Sequence, residues 1–165
     1  MQALANAGEE RGAVPATPQL STDYLNRYAE ALMLLELAPT DPEIIADLQA
    51  WSAVGYREHF ELSELRCRPS ALAAYDGLAG DRRRAFERLC LSMNRLITSV
   101  TALLASQQAN AAQGSDVAVV VDVASEALRT LMAHATQFIN ANGLVDIAAL
   151  DRTIDQDEID ALFAS

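Results

Sequence analysis

Two stretches of the chain place apolar side chains at alternating spacings of four and three. In the first, Phe86, Cys90, Met93, Ile97, Val100, Leu104 and Gln107 form the stripe; in the second, Val117, Val121, Ala124, Leu128, Leu131, Ala135 and Phe138 do. A 4-3 repeat held this long is a heptad seam, the pattern of helices lying nearly parallel to a partner's axis. Ala111 to Asp116 separates the stretches as a turn, with Ser115 as the cap of the second helix, and Gly143 stops it. The spacing predicts an antiparallel hairpin over 81–142, each arm roughly 25–30 residues and about 40 Å long at the helical rise. Leu89, Leu96, Leu103, Val120, Met132 and Ile139 widen both apolar faces beyond a two-stranded seam. Further helices must cover them: N-terminal helices of the same chain or a second hairpin in a homodimer. Either gives a four-helix-bundle-like core, and the fold class is all-α.

The N-terminal half supplies short helices to pack there. Residues 1–20, rich in Ala, Gly, Glu and Pro, have little to bury and read as a disordered leader. Ser21 or Thr22 caps a helix to Ala38, with Leu25, Tyr28, Leu32 and Leu35 inward, and Pro39 ends it. Asp41-Pro42-Glu43 starts a second carrying Ile44, Ile45, Leu48 and Trp51. Gly55 to Leu65 reads as a less regular helical piece. Ser70 opens another helix, with Leu72, Tyr75 and Leu78, closed by Gly80. The helical domain is thus 21–142, followed by a mildly amphipathic tether at 143–153.

Composition narrows the partners. A net charge of −11 opposes binding to nucleic acid or an anionic membrane and favours a basic protein surface. Cys67 and Cys90 stand far apart without a metal-ligand spacing, as in a reduced cytoplasmic protein, and no cofactor is expected. The N-terminus has neither the basic start nor the apolar core of a signal peptide, and no apolar run reads as a membrane span or inserts in a bilayer.

Residues 154–165 carry a helix specified on its own. Asp155 and Glu158 have the spacing of a capping box, Ile154 and Ile159 that of a hydrophobic staple, and Asp157 and Glu158 lie in the first turn, where the helix dipole favours negative charge. Ile159, Leu162 and Phe163 then share one face, flanked by Asp160. Gln156-Asp157-Glu158-Ile159-Asp160-Ala161-Leu162-Phe163 resembles the SQxEIDALL peptide of the flagellar switch protein FliM, with Asp155 in place of the usual Ser cap. In that family the peptide docks on the phosphorylated response regulator CheY, but from the N-terminus. The CheZ-type CheY phosphatases are similar in overall plan, a helical hairpin dimerised into a bundle with a CheY-binding C-terminal helix. The resemblance implies a cytoplasmic chemotaxis or motility protein whose partner is a CheY-like receiver, any Mg²⁺ belonging to that receiver. The binding residues it implies are Asp155, Gln156, Asp157, Glu158, Ile159, Asp160, Leu162 and Phe163.

Catalysis is less legible. The CheZ family attributes its phosphatase activity to an Asp-x-x-x-Gln pair, which is absent; Asp122-x-x-x-Glu126 puts a carboxylate where the amide should be. The Glu-x-x-Asn motif of the CheC and CheX phosphatases is absent too. Asn94, Gln137 and Asn140 are amides on the arms that could orient water, though the same positions suit solvated helix surface. His134 could accept phosphate as in histidine phosphotransfer domains, yet Ala135-Thr136-Gln137-Phe138 supplies neither their Lys nor their Gly, and a seam-edge histidine fits better. His59 has still less context. Arg82-Arg83-Arg84 reads as solvated arginines paired with Asp81 or Glu87, or as a clasp for the acidic tail. Three functions follow: receiver binding with phosphatase activity, phosphotransfer through His134, or a non-enzymatic adaptor or assembly factor of the flagellar motor.

Overall fold

The computed structural model of the chain describes residues 17–109 and 114–153. Among them the protein is all-α. A 3-10 turn at Thr22–Leu25 leads into α1 (Asn26–Leu37), α2 (Ile44–Ala50), α3 (Tyr56–Glu61), α4 (Arg68–Asp76), α5 (Gly80–Ala109), α6 (Gly114–Asn140) and α7 (Ile147–Thr153).

The stripes lie where their spacing puts them. Phe86, Cys90, Met93, Ile97, Val100 and Leu104 are buried on α5, and Val121, Ala124, Leu128, Leu131, Ala135 and Phe138 on α6. The start of α5 sits beside the end of α6: Phe86 and Phe138 stack with ring centroids 4.9 Å apart. Leu89, Leu96 and Ile139 are buried as well. Helices of the same chain flank the pair, α1 packing on α6 and α2 on α5. Each such Leu, Ile or Phe, fully buried, stabilises the fold by about 1.5–3 kcal/mol relative to exposure.

A tyrosine cluster joins the short helices to α5. Tyr24 meets Tyr28, Tyr56 and His59 edge-on. Buried phenols need partners. Tyr24 donates to the Val54 carbonyl (2.8 Å) and Tyr28 to Asn94 Oδ1 (2.8 Å). Burial holds the phenols of Tyr24, Tyr28, Tyr56 and Tyr75 above their ordinary range, and pushes the Cys90 thiol up to about 12.

Several expected boundaries shift. The helix expected from Ser70 starts at Arg68, with Pro69 in its first turn, and is capped by Gly77; Gly80 opens α5 instead of closing α4. Ser70 serves another end, accepting the Gln19 N–H at 2.9 Å. The stop after α6 is a Schellman motif. Gly143 N–H bonds the Phe138 carbonyl (2.8 Å) and Asn142 N–H that of Ile139 (2.9 Å), so Asn142 and not Gly143 is the first left-handed residue, at φ 52°. Gly143 follows at φ +82°, where a Cβ would lie 2.6 Å from Leu78 Cδ2.

The expected leader includes an anchored strap at its end. Leu20 is buried, and three successive backbone N–H groups are each met by a side chain from a different element: Gln19 by Ser70, Leu20 by Asn142 Oδ1 (2.9 Å) and Ser21 by Tyr56 Oη (3.0 Å). Asn142 Nδ2 also donates to the Pro18 carbonyl at 3.0 Å. One αL asparagine thus completes both sides of a peptide segment that no sheet pairs. By length and composition α5 is apolar enough to cross a bilayer, yet 50% of its most apolar 18-residue window is buried inside the protein, as in a core helix.

Candidate functional site

The last described helix, α7, is held at both ends of its length. Asp146 Oδ1 accepts from the N–H groups of Ala148 (3.1 Å) and Ala149 (3.2 Å) and so caps α7. Leu150 is buried. The stretch expected as a tether is therefore a capped, anchored helix.

Arginines of α5 hold it from the other side. Arg82 donates to the carbonyls of Gly143 and Val145 (2.9 Å to the latter), both in the connection between α6 and α7. Arg88 donates to both oxygens of Asp151, at 2.8 and 3.0 Å. Arg82 is thus taken by backbone carbonyls and it is Arg88 that meets an acid, while the acidic tail that the arginine cluster was expected to clasp lies outside the described residues. Neither expected carboxylate partner pairs with Arg82. The Asp81 carboxylate takes the Arg82 backbone N–H (2.9 Å), and Glu87 takes the Tyr75 hydroxyl (2.7 Å). Arg82 to Val145 and Arg88 to Asp151 advance together, so α7 runs in the same direction as α5.

Between α6 and α7 lies a cleft of about 250 Å³, lined by His134, Gln137, Val145, Asp146, Ala149 and Leu150. His134 is half-buried and Gln137 exposed. Two of the four catalytic candidates, i, i+3 neighbours on α6, therefore share a cleft with the Asp146 carboxylate, which no spacing in the sequence places there. Asn140 is exposed on α6 and does not line this cleft. Asn94 lies elsewhere, bonded to Tyr28 at the edge of a cleft of about 530 Å³ that includes Tyr24, Tyr75 and Glu87. Chemically the α6–α7 cleft offers an amide, an imidazole and a carboxylate, enough to orient a water or accept a proton. Among the described residues no group of His, Cys, Asp and Glu could hold a metal ion.

His59 has a definite environment. Its ring packs on Tyr24 and Phe60, its Nε2 is buried without a hydrogen bond among the described residues, and burial, then Arg27, lowers its pKa. It is a neutral packing residue. The expected receiver contacts, Asp155, Gln156, Asp157, Glu158, Ile159, Asp160, Leu162 and Phe163, lie outside the described residues, as do residues 110–113; of the turn expected at Ala111–Asp116, Gly114 already opens α6, so Ser115 lies inside that helix instead of capping it.

In comparisons with known proteins, no family model, no curated protein and no solved structure matches this chain. What the fold defines is a class, an all-α helical-bundle-like protein with a C-terminal segment rooted on its longest helix.

Proposed function

We propose that this protein binds a phosphorylated CheY-like receiver through residues 154–163, as a cytoplasmic component of chemotaxis or motility signalling. The observation that carries the reading is the wording of that segment: its cap, staple, three apolar anchors and acidic flank agree with one another and with the receiver-docking peptide they resemble. Ile159, Leu162 and Phe163 supply the buried contacts of a helix laid in a groove. Asp157, Glu158 and Asp160 steer it onto a basic surface. The anchored α7 supports the reading by giving the segment a fixed origin. A helix of about ten residues is marginal alone and gains its order from a partner.

A second reading, dephosphorylation of the bound receiver, draws on the α6–α7 cleft. Gln137 there is the amide suited to orient water, next to the origin of the docking segment; Asn94, bonded to Tyr28, is not. Mixing with a phosphorylated receiver separates the alternatives. Faster phosphate release that Gln137→Ala abolishes marks a phosphatase, acid-labile phosphate on His134 a phosphotransfer protein, and binding without either an adaptor. Absence of binding removes the proposal.

A further inference from the structure

Beyond the end of α7 the α6 face that borders the α6–α7 cleft carries a run of apolar side chains. On α6, Ala127, Val123 and Val120 lie seven, eleven and fourteen residues before His134, which by helical geometry is the same face that α7 covers. Ala127 and Val120 are half-buried, while Val123 is 41% and neighbouring Val119 62% exposed. The strip from His134 to Val120 is about 21 Å long at the helical rise. Across it on α5, Arg95 is exposed and stands two turns beyond Arg88 on the same face.

We infer that this strip is the resting place of the chain's own segment 154–163. Three observations select that occupant. Its origin is fixed at one end of the strip, because α7 runs with α5 and ends at Thr153, just before it. Its length fits, since ten residues span about 15 Å as a helix. Its chemistry fits, since Asp155, Asp157, Glu158 and Asp160 follow Asp151, which Arg88 already holds, and Arg95 is the next cation in line. The separate cap at Asp155 frees the segment from the facing of α7, so Ile159, Leu162 and Phe163 can turn onto Val119 and Val123. The same three side chains then serve the strip and any external partner by turns, and the strip sets how much of the segment is available. Docking of the segment on the strip does not depend on a receiver; only that consequence rests on the proposed function.

Fluorine NMR on protein carrying 4-fluorophenylalanine tests it without any receiver. Phe60, Phe86 and Phe138 are buried, and the Phe163 resonance is assigned by its loss in Phe163→Leu. It should differ from that of a free 154–165 peptide, and should move to the peptide position in Val119→Asp plus Val123→Asp and partly so in Arg95→Glu. Both valines are exposed, and the unmoved resonances of the other three phenylalanines report an intact fold. A Phe163 resonance that coincides with the free peptide in the unsubstituted protein overturns the inference. So does a shift that appears only at high protein concentration with dimer in sedimentation, which assigns the strip to a second copy. If the shift behaves as expected and receiver binding fails, the strip stands and the functional reading falls.

Discussion

Arg88 grips both carboxylate oxygens of Asp151 across 63 residues of sequence, and with Arg82 it fixes where α7 lies. Both side chains of this pair are nearly half exposed, 49% and 44%. Water and salt therefore screen it, and such pairs contribute about 0–1 kcal/mol. Arg88→Ala should lower the urea midpoint only slightly while speeding amide exchange in α7. Loss of a large share of the global stability would mean that the pair does more than seat this helix.

Asn142 combines a backbone demand with a side-chain one, and two substitutions separate them. Asn142→Gly keeps the αL conformation and loses the bonds to Leu20 and Pro18, an expected cost of about 1–3 kcal/mol. Asn142→Ala loses the same bonds and adds roughly 1 kcal/mol for a Cβ at positive φ. Urea unfolding followed by Trp51 fluorescence reads both. Equal costs would contradict the αL account. Gly143→Ala should be worse than about 2 kcal/mol, since it meets strain and Leu78 together.

All four tyrosines of the chain are buried, between 0% and 7% exposed. Their folded pKa values, with that of Cys90, are raised by burial, so the stability this reflects is complete below the ordinary values of 10.0 and 9.0 and is lost as pH rises past them. Tyrosinate absorbance should be absent at pH 10 and appear in one step with loss of helical circular dichroism. Gradual titration of one or more phenols in a folded protein would show that the cluster admits water.

His59 acts on the acid side. Its folded pKa lies below 6.5, so the unfolded chain takes up a proton first; stability is full above about 6.5 and falls as pH drops toward the folded value. His59→Phe should flatten the decline in urea midpoint between pH 7.5 and 5.5. An unchanged slope would place the titration elsewhere.

The long helices were legible because a 4-3 stripe is a local pattern with one three-dimensional meaning, and each residue from Phe86 to Leu104 in it is buried. The stop at Asn142-Gly143 was legible in kind but not in register, since either residue can take αL and only the Leu20 and Pro18 bonds explain the asparagine. Nothing in the order of residues pairs Arg88 with Asp151, or brings Gln137 to Asp146. Those contacts depend on how α7 returns along α5, and a helix of seven residues carries too little pattern to say so. The docking segment is the reverse case, explicit in sequence and outside the described residues.

Receiver binding through 154–163 is open to titration. A fluorescently labelled CheY-like receiver, activated with beryllofluoride as an acyl-phosphate mimic, is mixed with the full chain and with Ile159→Ala plus Phe163→Ala. Activation should strengthen binding and the double variant should weaken it at least about a hundredfold, since each lost anchor contributes about 1.5–3 kcal/mol. Equal affinity of the variant, or no binding by the unsubstituted chain, would contradict receiver binding through this segment.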